Sequence, residues 1–287
     1  MLKYYDPITT VLLRLIISSA IMFIGLFLFK RLQKIKVRDY KLFLLSALLN
    51  PLLYFLGENY GLKQTSPTVT AVIIATIPVF APVVAYFMLK ERLTKLNVFG
   101  LFISFFGVLL MLVNSDYSFN ASPTGLAWLA LAVISAIFYS ILLKKLALKY
   151  NPFLIIATQN LIGVFYFMPL FLVFDYQHFI QVQPNTELIT SLVLLAVFAS
   201  SLAFVFFAIS AREIGVSKTN FFVNLIPVFT AIFSYFILKE HFELRKIVGM
   251  LVVITGVLLS QLNPQGRFFS FYRFILFKRK DGGNDSG

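Results

Sequence analysis

Residues 77–114 read IPVFAPVVAYFMLKERLTKLNVFGLFISFFGVLLMLVN, and residues 226–263 read IPVFTAIFSYFILKEHFELRKIVGMLVVITGVLLSQLN. At an offset of 149 the two stretches share 15 of 38 positions without a gap. Ile77-Pro78-Val79-Phe80 meets Ile226-Pro227-Val228-Phe229, and Leu89-Lys90-Glu91 meets Leu238-Lys239-Glu240. Gly107-Val108-Leu109-Leu110 meets Gly256-Val257-Leu258-Leu259. Shared hydrophobicity alone does not align proline, lysine, glutamate and glycine in one register, so the chain reads as a duplicated unit. Each copy is an apolar run, a short charged break and a second apolar run. That is the pattern of two bilayer-crossing helices joined by a loop.

The rest of the chain extends this pattern. Apolar residues make up 59% and charged residues 13%, with a mean hydropathy of +0.87. A soluble domain carries about a quarter charged residues and has no core large enough to hide so much apolar surface. The bilayer is therefore the solvent. Runs of spanning length, roughly 17–25 residues, fall at Ile8–Phe29, Lys41–Leu62, Pro67–Leu89, Leu96–Val113, Thr124–Leu146, Pro152–Phe174, Leu188–Ser210, Val216–Leu238 and Ile247–Leu262, nine in all. The fold class is an all-α polytopic bundle. The first run follows Asp6-Pro7 without a basic leader, so it does not read as a cleavable signal.

Charge sets the topology. The net charge of +13 does not point to nucleic acid, because the basic residues lie in short breaks between apolar runs and not in a polar domain. Alternating the breaks puts 19 Lys/Arg on one side and five on the other, with Arg14 alone inside a span. The rich side is cytoplasmic by the positive-inside rule, which leaves residue 1 outside and the C-terminus inside. Lys90-Glu91 then faces inward and its repeat mate Lys239-Glu240 outward. Residues 1–122 and 123–263 read as two oppositely oriented repeats, followed by a basic tail over 264–287. Within the tail, Arg267–Lys280 fits an interfacial segment on the anionic leaflet. Inverted repeats that enclose a midplane site are the architecture of many secondary transporters.

Candidate chemistry is sparse. There is no cysteine, and His178 and His241 fall in expected loops, so neither a metal nor another cofactor is expected. An enzyme is not expected either: no span carries a histidine or an acid pair, and no Gly-x-Ser-x-Gly occurs. Glu58 stands out as an acid inside a span, where a carboxylate costs roughly 2.5 kcal/mol or more unless it faces a cavity or a partner. It would bind an ammonium group or take up a coupling proton; the plainer alternative is an interfacial acid near the helix end, salt-bridged to Lys63 or wet by the headgroups. Arg14 would attract a carboxylate, pair with Glu58, or snorkel to the interface. The amides Asn50, Asn59, Gln159, Asn160, Asn220 and Asn224, with Tyr139, must find partners inside the bundle and are candidates to line a solute pathway. Pro78 and Pro227 occupy matching repeat positions and read as kinks that bend gates. Gly100, Gly107, Gly249 and Gly256 are spaced for close helix contact.

The Pro-Val-Phe helix, the Leu89-Lys90-Glu91-Arg92-Leu93-Thr94 break and the following Gly-x6-Gly-Val-x-Leu helix resemble the EamA family of the drug/metabolite transporter superfamily. Both copies are present, over Pro78–Leu110 and Pro227–Leu259, and Arg14-Leu15 is similar to an element of the family's second helix. The resemblance covers Ile8 to Leu262. It implies ten helices in two five-helix inverted repeats, and therefore a first helix ahead of Asp6-Pro7 that this sequence does not show. It also implies an alternating-access exporter of small metabolites, amino acids or drugs in a bacterial inner membrane, acting as a monomer or homodimer. A flippase for lipid-linked substrates and a non-transporting scaffold are the alternatives.

Overall fold

The computed structural model describes residues 5–65, 70, 73–112, 122–226, 228, 229, 232 and 244–261. Every regular element among them is helical. Five helices are long and apolar enough to cross a membrane: α1 (Pro7–Leu28), α2 (Val37–Gln64), α5 (Pro123–Ala147), α6 (Pro152–Gln181) and α7 (Thr186–Glu213). Shorter apolar helices are α3 (Ile77–Leu89), α4 (Lys95–Leu112) and α9 (Leu244–Gln261). The short α8 (Val216–Phe221) tightens into a 3-10 turn over Phe222–Leu225. Five of the nine expected spans coincide with helices long enough to cross; α3, α4 and α9 fall within or beside three more, and part of Pro67–Leu89 and most of Val216–Leu238 lie outside the described residues.

Local chemistry explains where the helices start. Pro7, Pro123 and Pro152 stand in first turns, where no helical hydrogen bond is lost. Ser122, Asn151 and Asn185 cap α5, α6 and α7 by accepting from the amides of Gly125, Phe153 and Leu188. The interiors are less regular. Asn50 leaves helical geometry (φ −146°, ψ 119°) just ahead of Pro51, inside a wide π-turn over Leu48–Leu53. A second wide turn spans Leu195–Leu202 in α7, and a third spans Phe171–Asp175 in α6. Such turns are frequent at functional positions in helices.

One expectation needs correction. α6 does not stop near Phe174; the wide turn after Pro169 carries the helix on to Gln181 and takes His178 out of the expected loop. Pro78 lies in the first turn of α3, directly after a turn at Ala75–Thr76. Pro227 lies outside the described residues.

The chain divides into two compact units that do not follow the sequence halves. The first comprises residues 1–91 and 112–223, the second residues 92–111 and 224–287, so each draws on both halves. In the first unit α1 packs on α6 and α7, α2 on α5, and α3 on α5 and α8. In the second, α4 and α9 meet backbone to backbone. A Cβ added to Gly100 would come 2.6 Å from the Gly256 carbonyl oxygen, and one on Gly107 would come 2.6 Å from the Val253 nitrogen. Close approach through glycine is how helices associate where lipid removes the hydrophobic drive.

The connections of the first unit fall into the two groups that alternation requires. On one side Asp39 binds Lys149 and Tyr150, both at 2.8 Å, and Asn151 donates to Gln33. Glu91, Lys144 and the start of α8 meet on the same, charge-rich side of the alternation. On the other side Asp6 pairs with Lys63 at 3.4 Å and with His178 at 3.0 Å, and Ser122 reaches Gln64.

Candidate functional site

The first unit holds a polar seam where α1, α6 and α7 meet. Asn160 donates to Ser18 Oγ at 2.7 Å and to the Ser200 carbonyl at 2.9 Å. Ser18 and Ser201 hydroxyls lie 2.6 Å apart, and Ser18 also donates to the Ser200 carbonyl at 3.3 Å. The wide turn over Leu195–Leu202 makes this possible, because a π-turn frees carbonyls that an α-helix would keep for itself. Arg14 enters from α1: its Nε donates to Ser200 Oγ at 3.1 Å and its guanidinium carbon sits 5.3 Å from the Phe55 ring centre. That distance is within cation–π range.

Glu58 stands on α2, near Arg14 but not joined to it. Tyr54 donates to Glu58 Oε1 at 3.0 Å. No ion pair forms between the two among the described residues. Lys63 pairs with Asp6 and not with Glu58. A neighbouring network runs from Tyr139 to Gln159 Oε1 at 3.2 Å and from Gln159 to the Ser46 hydroxyl, tying α5, α6 and α2.

Other predicted residues stand apart from the seam. Asn59 and Asn220 turn back on their own helices, to the Phe55 and Val216 carbonyls at 2.8 and 2.9 Å. Asn224 belongs to the second unit and donates to Ser104 at 2.8 Å, with its side-chain oxygen left unpaired in the interior. Asn50 is buried at the break in α2. Tyr60 stacks on Trp128 at 5.4 Å. Sequence reasoning passed over Ser18 and Ser46, because serine in an apolar helix usually satisfies itself on the preceding turn.

Two carboxylates outside the seam anchor helix starts. Asp175 Oδ2 accepts from the Thr9 amide at 2.9 Å and the Thr9 hydroxyl at 2.8 Å, in the first turn of α1. Glu91 accepts from Lys144 Nζ at 2.6 Å, from the Val216 and Ser217 amides at 2.9 and 3.0 Å, and from the Ser217 hydroxyl at 2.7 Å. An anion at a helix N-terminus meets both free amides and the helix dipole. Gly215, at φ +93°, leaves the room Glu91 needs: an added Cβ would lie 2.9 Å from Oε1. Burial alone would raise the Glu91 carboxyl; the bonds from Lys144, Ser217 and Val216 outweigh it and hold the group below the ordinary carboxylate range.

With this geometry in place, the chain can be set beside known proteins. The EamA-like transporter family matches over residues 1–113 and 123–262. The uncharacterized transporter YetK of Bacillus subtilis is 23% identical over 257 residues, covering 88% of this chain and 78% of its own. An uncharacterized transporter of Archaeoglobus fulgidus is 25% identical over 261 residues, covering 90% and 89%. A solved crystal structure at 16% identity superposes with a TM-score of 0.76 over 90% of this chain and 89% of the other, a likeness of fold. The chain is a multi-pass membrane transporter and belongs to the EamA-like transporter family.

Proposed function

We propose that the protein exports small zwitterionic or cationic metabolites, amino acids among them, by alternating access across a bacterial inner membrane, with its C-terminus in the cytoplasm. The observation that carries this reading is the pair of opposite charges, Arg14 and Glu58, held in one unit without neutralising each other. A guanidinium takes a carboxylate in a two-pronged grip and a carboxylate takes an ammonium, so an α-amino acid would bridge them. Phe55 and Tyr54 beside the charges supply apolar surface for its side chain.

The inverted-repeat reading is supported by matched helix bounds. α2 and α7 are 28 residues each and begin at Val37 and Thr186. α4 and α9 are 18 residues each and begin at Lys95 and Leu244. Both pairs stand at the 149-residue offset of the sequence repeat. Proteoliposome flux tests the proposal with three cargoes: a mixture of radiolabelled neutral amino acids, a cationic dye and a labelled lipid. Movement of either solute supports the carrier; movement of lipid alone favours the flippase; no movement leaves a scaffold. Proton coupling through Glu58 predicts that Glu58→Gln flattens the pH dependence of flux, and an unchanged profile removes Glu58 from coupling.

A further inference from the structure

Gly25 is at odds with its surroundings. The helical glycines Gly57, Gly61, Gly100, Gly107, Gly163 and Gly256 each face a neighbour that an added Cβ would strike at under 3 Å. At Gly25 nothing lies within 4 Å. A glycine inside a helix is costly relative to alanine, and among the described residues none uses the space it leaves. That space is the floor of a cavity of about 440 Å³ between α1, α7 and the start of α6. Ile21, Phe29, Phe153, Val197 and Leu202 wall it, with Ser201 and Arg31 as its polar groups and no acidic side chain. The volume is in the range of small-ligand sites, roughly 300–1,000 Å³.

Arg31 is held at this cavity by the end of α1. Lys30 adopts the left-handed conformation (φ 53°), the Lys30 amide donates to the Phe27 carbonyl, and the Arg31 amide donates to the Leu26 carbonyl at 2.9 Å. This is a Schellman closure with lysine where glycine is usual, so the turn is kept at some strain. Arg31 forms no ion pair among the described residues. Lys30 and Lys34 beside it are exposed, on the basic-rich side of the chain. The flanks face outward: Ile24 and Phe198 are each 59% exposed.

We infer that this groove binds an anionic phospholipid, with an acyl chain lying over Gly25 and the phosphate at Arg31. The apolar walls exclude a site built for free phosphate. One small residue between bulky exposed side chains suits a thin flexible chain better than a packed helix, which wants small residues in series. The basic side of a membrane protein faces the anionic leaflet, which supplies the headgroup. The inference does not depend on which solute is carried.

Native mass spectrometry of the delipidated full chain tests it, with phosphatidylglycerol and phosphatidylcholine of identical acyl chains. Wild type should retain phosphatidylglycerol about five-fold more strongly, the effect of one cationic side chain. Arg31→Gln should bring the two lipids to parity. Gly25→Leu should release both while the protein stays folded, since its side chain enters open space. Equal retention of both lipids by wild type, or full retention of phosphatidylglycerol by Gly25→Leu, overturns the inference. So does complete displacement of the lipid by millimolar inorganic phosphate, which would make the site headgroup-only. The chain lacks cysteine, so Ile24→Cys adds a clean probe in vesicles. Disulfide-linked dimers at that position would place a second copy in the groove and contradict a lipid there.

Discussion

The two compact units hold their helices together by different means. In the second, α4 and α9 touch through glycines, with Asn97 Nδ2 donating to the Ser260 carbonyl at 2.6 Å as a polar lock. In the first, α1, α6 and α7 are joined by side-chain hydrogen bonds through Ser18, Asn160, Ser200 and Ser201. Glycine contacts leave no group to offer a solute, whereas a polar seam can exchange its partners for one. The contrast underlies the proposal that the first unit recognises the solute, although the second unit also holds an interior amide, Asn224, bonded to Ser104.

Four outcomes would sharpen or break that contrast. The largest effect should come from Gly256→Leu, whose side chain would run into the Ser104 backbone. A loss of about 3 kcal/mol or more, seen as a collapsed melting temperature in detergent, is expected from such overpacking; a normal melt would mean the glycine seam is not needed. Next, Asn160→Leu removes two interhelical bonds and should cost about 1 kcal/mol in stability. Flux should fall further than that loss explains. A variant less stable but fully active would make the seam structural, like its counterpart in the second unit.

Acidification gives a third, smaller effect. Glu91 is held below the ordinary carboxylate range in the folded state, so it contributes stability above its unfolded value. That contribution is lost as pH falls from about 4.5 through its lowered folded value. Wild type should therefore lose melting temperature in this acid window more steeply than Glu91→Gln, and parallel curves would deny the anchor. Smallest of all, Asp6→Asn breaks two half-exposed pairs, to Lys63 and His178, and should change stability by about 1 kcal/mol or less.

The sequence shows the architecture more plainly than the site. Apolar run length and the charged breaks place the five long helices because the bilayer imposes both, and the glycine spacing in residues 100–107 marks the α4–α9 contact. Helix ends were less legible: nothing in Phe171–Asp175 signals a wide turn that extends a helix, since that turn is set by tertiary contacts such as Thr9 with Asp175. Arg14 and Glu58 were visible as charges out of place in apolar runs. Their separation was not, because it depends on Tyr54 and Ser200 as alternative partners. Ser18 and Ser46 carried no signal at all, and the anchoring of α8 by Glu91 spans 125 residues that no local pattern connects.

Amino-acid uptake into proteoliposomes by Arg14→Gln and Glu58→Gln, each beside wild type at equal protein content, bears most directly on the role of the first unit. Loss of a charge-assisted contact should lower transport about tenfold in each variant while the melting temperature changes little. Wild-type rates in both variants would contradict a solute site at these residues.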